Sequence, residues 1–84
     1  MSSGLPRLTV YGRGYCHLCD EMVAALRSFP AGRAFEVEVV DVDATPELEA
    51  RYGDRVPVLA ADGRELCHFR LDPDALTAYL GGLS

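Results

Sequence analysis

Cys16 and Cys19 stand two residues apart, where one hydrophobic pattern gives way to another. Before them, Arg7 to Tyr11 alternates, with Leu8 and Val10 on one face, as a half-buried strand does. Gly12 and Gly14 then mark a loop. After them, Met22, Val23, Leu26 and Phe29 recur at helical spacing, which predicts a helix from Cys16 to Phe29. Pro30 and Gly32 stop that helix. A strand feeding a helix through a glycine-bearing loop is the first half of a β-α-β unit. Its crossover is expected to be right-handed and its strands parallel.

The remaining chain completes this unit and adds a hairpin. Phe35 to Val42 reads as a strand, with Glu36 and Glu38 alternating against Val37 and Val39. Thr45-Pro46-Glu47 supplies an N-cap, a first-turn proline and an acid for a short helix carrying Leu48 and Tyr52. Gly53 ends it. Val56 to Ala60 is a short apolar strand, Asp62-Gly63 a two-residue hairpin turn, and Arg64 to Phe69 the returning strand. Asp72-Pro73 repeats the cap-then-proline pattern. The last helix lines up Leu76, Tyr79 and Leu80 and ends at Gly81-Gly82. The predicted order is β-α-β-α-β-β-α, an α/β class with one four-stranded mixed sheet flanked by helices.

Composition narrows the function. At 84 residues the chain has room for one small domain, with residues 1–6 expected as a loose tail. The net charge is −5, which argues against nucleic-acid binding because phosphates need a basic face. The charge is unevenly spread: residues 1–33 carry +2 and residues 34–54 carry −6. The acidic run is most simply a solvated face. No apolar run reaches the ~18 residues of a membrane span, and no signal-peptide pattern is present. Three cysteines, an odd number, do not suit a disulfide framework. The expectation is a cytoplasmic monomer with reduced thiols.

The Cys16-His17-Leu18-Cys19 motif carries the chemistry. At a helix start, Cys16 meets unpaired N–H groups and partial positive charge, and Arg13 adds a cation three residues earlier. Thiols in such settings ionise more readily than a free cysteine. Cys16 is therefore the candidate nucleophile, and Cys19, one turn later, the resolving thiol. The bland alternative is half of a zinc or iron–sulfur site. It lacks a good second pair, because Cys67 and His68 are strand neighbours that point to opposite faces. No metal is expected at the site, and the metal-carrier reading stands as the alternative, together with a redox-silent interaction module.

With Val10-Tyr11, Cys16-His17-Leu18-Cys19 and Arg55-Val56-Pro57-Val58 in this order, the chain resembles the thioredoxin superfamily. Within it, the chain is similar to short bacterial glutaredoxin-like proteins with a C-x-L-C site, many of undefined function. The resemblance runs from Leu8 to Leu80 and implies a thioredoxin-like fold. It implies a disulfide oxidoreductase acting on a protein disulfide or on glutathione, with no bound cofactor. It also implies a cis Val56-Pro57 bond facing the cysteines, with the backbone of Val56 pairing with a bound thiol. By the same resemblance Arg13 and Arg55 are substrate-binding candidates, with a solvated surface role as the alternative for Arg55.

The resemblance is incomplete before the last helix. Glutaredoxins carry a Gly-Gly pair and an acid there, whereas this chain reads Phe69-Arg70-Leu71-Asp72-Pro73-Asp74. Asp72 reads better as a helix cap than as a ligand. Tyr15 either flanks the sulfur as a recognition surface or only packs. His17 either tunes the potential or is a solvated turn residue. Asp20 and Glu21 complement the helix dipole. Cys67 reads as an inert, half-buried thiol.

Overall fold

The computed structural model describes residues 5–30 and 34–82. Gly32, expected to help stop the first helix, and residues 1–4 of the expected tail lie outside them. Four strands and three helices follow the predicted order: β1 Arg7–Gly12, α1 His17–Arg27, β2 Glu36–Asp41, α2 Pro46–Tyr52, β3 Val58–Ala61, β4 Arg64–His68 and α3 Pro73–Gly81. The sheet order is β2-β1-β3-β4. β1 pairs parallel with β2 and antiparallel with β3, and β3 pairs antiparallel with β4.

The pleat of β1 divides the core. Leu8 and Val10 point to one face and are fully buried. There they meet Met22 and Leu26 from α1, and Leu76, Tyr79 and Leu80 from α3. Tyr11 points to the other face and joins Val42, Tyr52 and Val58 under α2. Its ring stacks on Tyr52 with centroids 4.2 Å apart. All four residues of β3 are buried because both faces of that strand are covered.

The caps fall where the sequence placed them. Thr45 Oγ1 accepts from Leu48 N, and Asp72 accepts from the N–H groups of Asp74 and Ala75. Asp72 is thus the helix cap. Asp62 and Gly63 have φ values of 52° and 76°, the paired left-handed residues of a type I′ hairpin. Asp62 also accepts a 2.8 Å bond from the Tyr79 hydroxyl, which ties the hairpin to α3.

The boundaries differ where local bonding overrides the pattern. Pro6 is not loose, since its carbonyl accepts from Glu36 N at 2.8 Å. The second strand stops at Asp41 because that side chain caps a 3-10 turn over Val42–Ala44. The third starts at Val58, leaving Val56 and Pro57 outside it. The fourth stops at His68 because Phe69 turns left-handed, with φ of 66°. A bulky residue in that region is strained by about 1–3 kcal/mol. A register shift opposite Leu59 and Ala60 lets adjacent Leu66 and Cys67 both pack on the core. Among the described residues, no helix is long and apolar enough to cross a membrane.

Replacing Tyr79 with Phe keeps the packing and removes the bond to Asp62. The expected loss is about 1 kcal/mol, seen as a lower urea midpoint at unchanged slope.

Candidate functional site

Three chain segments meet at one end of the sheet's strands. Tyr11 lies opposite Val58, so the end of β1 and the start of β3 are neighbours. Val58 lies opposite His68, which brings in the end of β4. The loop carrying the cysteines, the Val56-Pro57 segment and Phe69 therefore converge. Phe69 N donates to Pro57 O at 2.8 Å, and the Val56–Pro57 peptide bond is cis.

Cys16 is the N-cap of α1, with extended backbone. Its sulfur accepts from Cys19 N at 3.1 Å, as an N-cap side chain does. Cys16 is half-buried, while Cys19, one turn in, retains only 5% exposure. The cysteines are thus unequal: one is partly exposed and the other is buried. Burial pushes the Cys19 thiol up from 9.0 to about 11, and its bond to Cys16 adds to the rise. The Arg13 backbone N–H acts in the opposite direction.

Cys19 rests on Gly12. A Cβ at Gly12 would lie 2.7 Å from the Cys19 sulfur and 3.1 Å from its Cβ. The sequence marks this glycine as the start of a loop. In the structure it is the last residue of β1, bare because a sulfur occupies the space. Nothing local in the sequence signals that contact.

Arg13 does not stand free beside Cys16. Its guanidinium pairs with Asp43, with Glu49 at 2.9 Å and with the carbonyl of Gly53 at 3.0 Å. The bond to Glu49 is the main reason that its charge is held more firmly than usual. The expected free cation is instead committed to the acidic run, and it fastens the cysteine loop to α2. Gly53 leaves room for it, since a Cβ there would approach Arg13 Nη2 to 2.8 Å. Arg55 is likewise engaged, with Arg51 O at 2.9 Å, Glu65 at 3.1 Å and Asp54 at 3.3 Å. The carboxylates that Arg55 meets in this structure thus belong to the chain itself.

The other expected residues are placed as follows. Tyr15 is wholly exposed on the loop before Cys16. His17 opens α1 and is exposed, as are Asp20 and Glu21. Val56 is half-buried and Pro57 buried. Cys67 is half-buried, and burial raises its thiol above the ordinary value. Among the described residues, no three His, Cys, Asp or Glu side chains are grouped so as to hold a metal ion.

A four-stranded mixed sheet with a Cys-x-x-Cys pair at the first strand–helix junction and a proline immediately before the third strand defines a protein of the thioredoxin superfamily. The comparisons narrow the class: residues 7–81 match the Glutaredoxin-like domain family (DUF836), and the chain belongs to it. The solution structure of protein Ne2328 from Nitrosomonas europaea is 46% identical, with a TM-score of 0.82 over 94% of this chain and 95% of that one. The X-ray structure of protein XcR50 from X. campestris is 42% identical, with a TM-score of 0.71 over 92% of this chain and 99% of that one. The germline-specific thioredoxin Deadhead of Drosophila melanogaster is 26% identical. Its TM-score is 0.52, over 98% of this chain and 84% of that one.

Two outcomes follow from the cysteine geometry. Gly12→Ala forces Cys19 off its seat and is expected to cost about 1–3 kcal/mol, measured by urea unfolding of the reduced protein. The second concerns pH. The Cys19 thiol holds its proton more tightly folded than unfolded, so its contribution is intact below the unfolded value. Stability of the reduced protein therefore falls as pH rises from 9.0 to about 11, because unfolded chains ionise first. Cys19→Ala flattens that part of the stability–pH curve.

Proposed function

We propose that this protein is a thiol–disulfide oxidoreductase in which Cys16 attacks and Cys19 resolves. The observation that carries the reading is the unequal pair: a partly exposed cysteine whose N-capping sulfur accepts an N–H, and a buried thiol that holds its proton more tightly than usual. The Cys16 thiolate attacks a substrate disulfide, forming a mixed disulfide and releasing the first substrate thiolate. Cys19 then gives its proton to solvent and attacks the Cys16 sulfur. The Cys16–Cys19 disulfide forms and the second substrate thiolate leaves. Two electrons pass from the protein dithiol to the substrate disulfide.

Cys19's raised value suits a resolving thiol. It holds its proton while Cys16 reacts, so the first attack falls to Cys16. An external thiol, glutathione or a dithiol protein, must reduce the pair again. A reducing, cytoplasmic setting fits that requirement.

Substitution of each cysteine tests the scheme. Cys16→Ser is expected to lower reduction of a small aromatic disulfide at least a hundredfold. Cys19→Ser is expected to keep the first attack and stop there, with the mixed disulfide visible in the intact protein mass. Equal losses in the two variants, or full activity without Cys16, would overturn the assignment. Regeneration by glutathione against regeneration by a thioredoxin system identifies the co-substrate.

A further inference from the structure

A groove of ≈ 360 Å³ runs along α1 away from the cysteines. One wall is Leu18, Met22 and Ala25, and the other is Phe69, Arg70 and Leu71 in the β4–α3 connection. Leu18 stands between the two cysteines in sequence, so one end of the groove lies on the Cys-x-x-Cys motif itself. From Leu18 to Ala25 the helix rises about 10 Å, which three residues of extended chain would cover.

Phe69 is the unusual element of this groove. Its backbone is left-handed, a conformation that bulky residues avoid, yet the residue is 46% exposed. Core packing therefore does not account for the strain. The backbone is pinned by Phe69 N to Pro57 O at 2.8 Å and Arg70 N to His68 O at 2.7 Å. The ring stands edge-on to His68, with centroids 4.7 Å apart. An aromatic held strained and exposed beside a reactive pair is placed to contact something outside the chain.

Arg70 supplies the charge. Arg7, Arg13 and Arg55 each hold carboxylates of this chain. Among the described residues, Arg70 forms no ion pair, nor does Glu21 on the opposite rim. A ligand that fits this wall presents an apolar side chain to Leu18 and Phe69 and a carboxylate to Arg70.

We propose that the groove docks an extended segment of a disulfide-bearing protein, with a large apolar residue within two positions of its cysteine and an acidic residue beyond. The proposal rests on Cys16 as the attacking thiol. It names a protein substrate, because five of the seven residues lining the groove are apolar and because Arg13 and Arg55 are already occupied by acids.

The test uses heptapeptides with one central cysteine blocked as a mixed disulfide with thionitrobenzoate. Attack of Cys16 on the peptide sulfur forms the peptide–protein disulfide and releases coloured thionitrobenzoate. Single-turnover rates are compared for leucine against serine beside the cysteine, and for glutamate against lysine beyond it. Reduced wild-type protein is expected to favour leucine about tenfold, the effect of burying part of one apolar side chain. Phe69→Gly suits the left-handed backbone and removes the ring; Ala25→Arg fills the groove from an exposed helix position. Each is expected to bring the ratio below about twofold. Arg70→Glu is expected to reverse the glutamate preference. Using ratios cancels any general change in thiol reactivity.

A leucine-to-serine ratio near one in wild type, or a ratio kept in both groove variants, overturns the proposal. So does faster reaction with the glutathione–thionitrobenzoate disulfide than with the leucine peptide, which makes glutathione the occupant. Failure to release thionitrobenzoate from every probe instead overturns the role of Cys16.

Discussion

β1 is the strand on which the rest of this small fold depends, because it alone has a parallel neighbour on one side and an antiparallel neighbour on the other. Its buried residues, Leu8 and Val10, fix which face receives α1 and α3. Its last residue, Gly12, takes no side chain because the Cys19 sulfur sits there. One strand thus sets the sheet order, divides the two cores and seats the buried thiol. The centre of the core and the seat of the buried thiol lie on the same six residues, Arg7–Gly12.

That sharing explains the asymmetry between the cysteines. The helix start holds Cys16 at the rim, and the helical turn carries Cys19 down onto the strand end. A one-residue change in spacing would turn the second sulfur about 100° around the helix and away from Gly12. Arg13 fixes the loop by reaching the acids Asp43 and Glu49, so the basic start of the chain and its acidic middle meet at this point. What looked in the sequence like a charge gradient becomes, in three dimensions, mutual neutralisation.

Much of this architecture was legible in the chain because it is written in local chemistry. Thr45-Pro46, Asp62-Gly63 and Asp72-Pro73 each act over two or three residues, so their caps and turns could be read directly. The pair at the strand–helix junction was legible for the same reason. What stayed hidden depends on contacts distant in sequence. Arg13 meets acids 30 and 36 residues away. The need for a bare backbone at Gly12 appears only once Cys19 packs on it. Phe69 reads as the end of an apolar strand, and nothing in its neighbours announces a left-handed turn. The groove it forms with Leu18 joins segments about fifty residues apart, beyond the reach of any periodicity.

The outer strand β2 carries a consequence for how these molecules meet. It lies at the edge of the sheet, and an edge offers unpaired backbone groups to any second strand. Along it Glu36, Glu38 and Asp41 outnumber Arg7, the one cation that pairs with this strand, and Val39 is exposed. Two copies meeting edge to edge would bring a net negative strand against its like. Repulsion between like strands thus works against pairing of this edge with its own copy, so the charge of β2 keeps apart molecules whose backbone would otherwise invite a fifth strand.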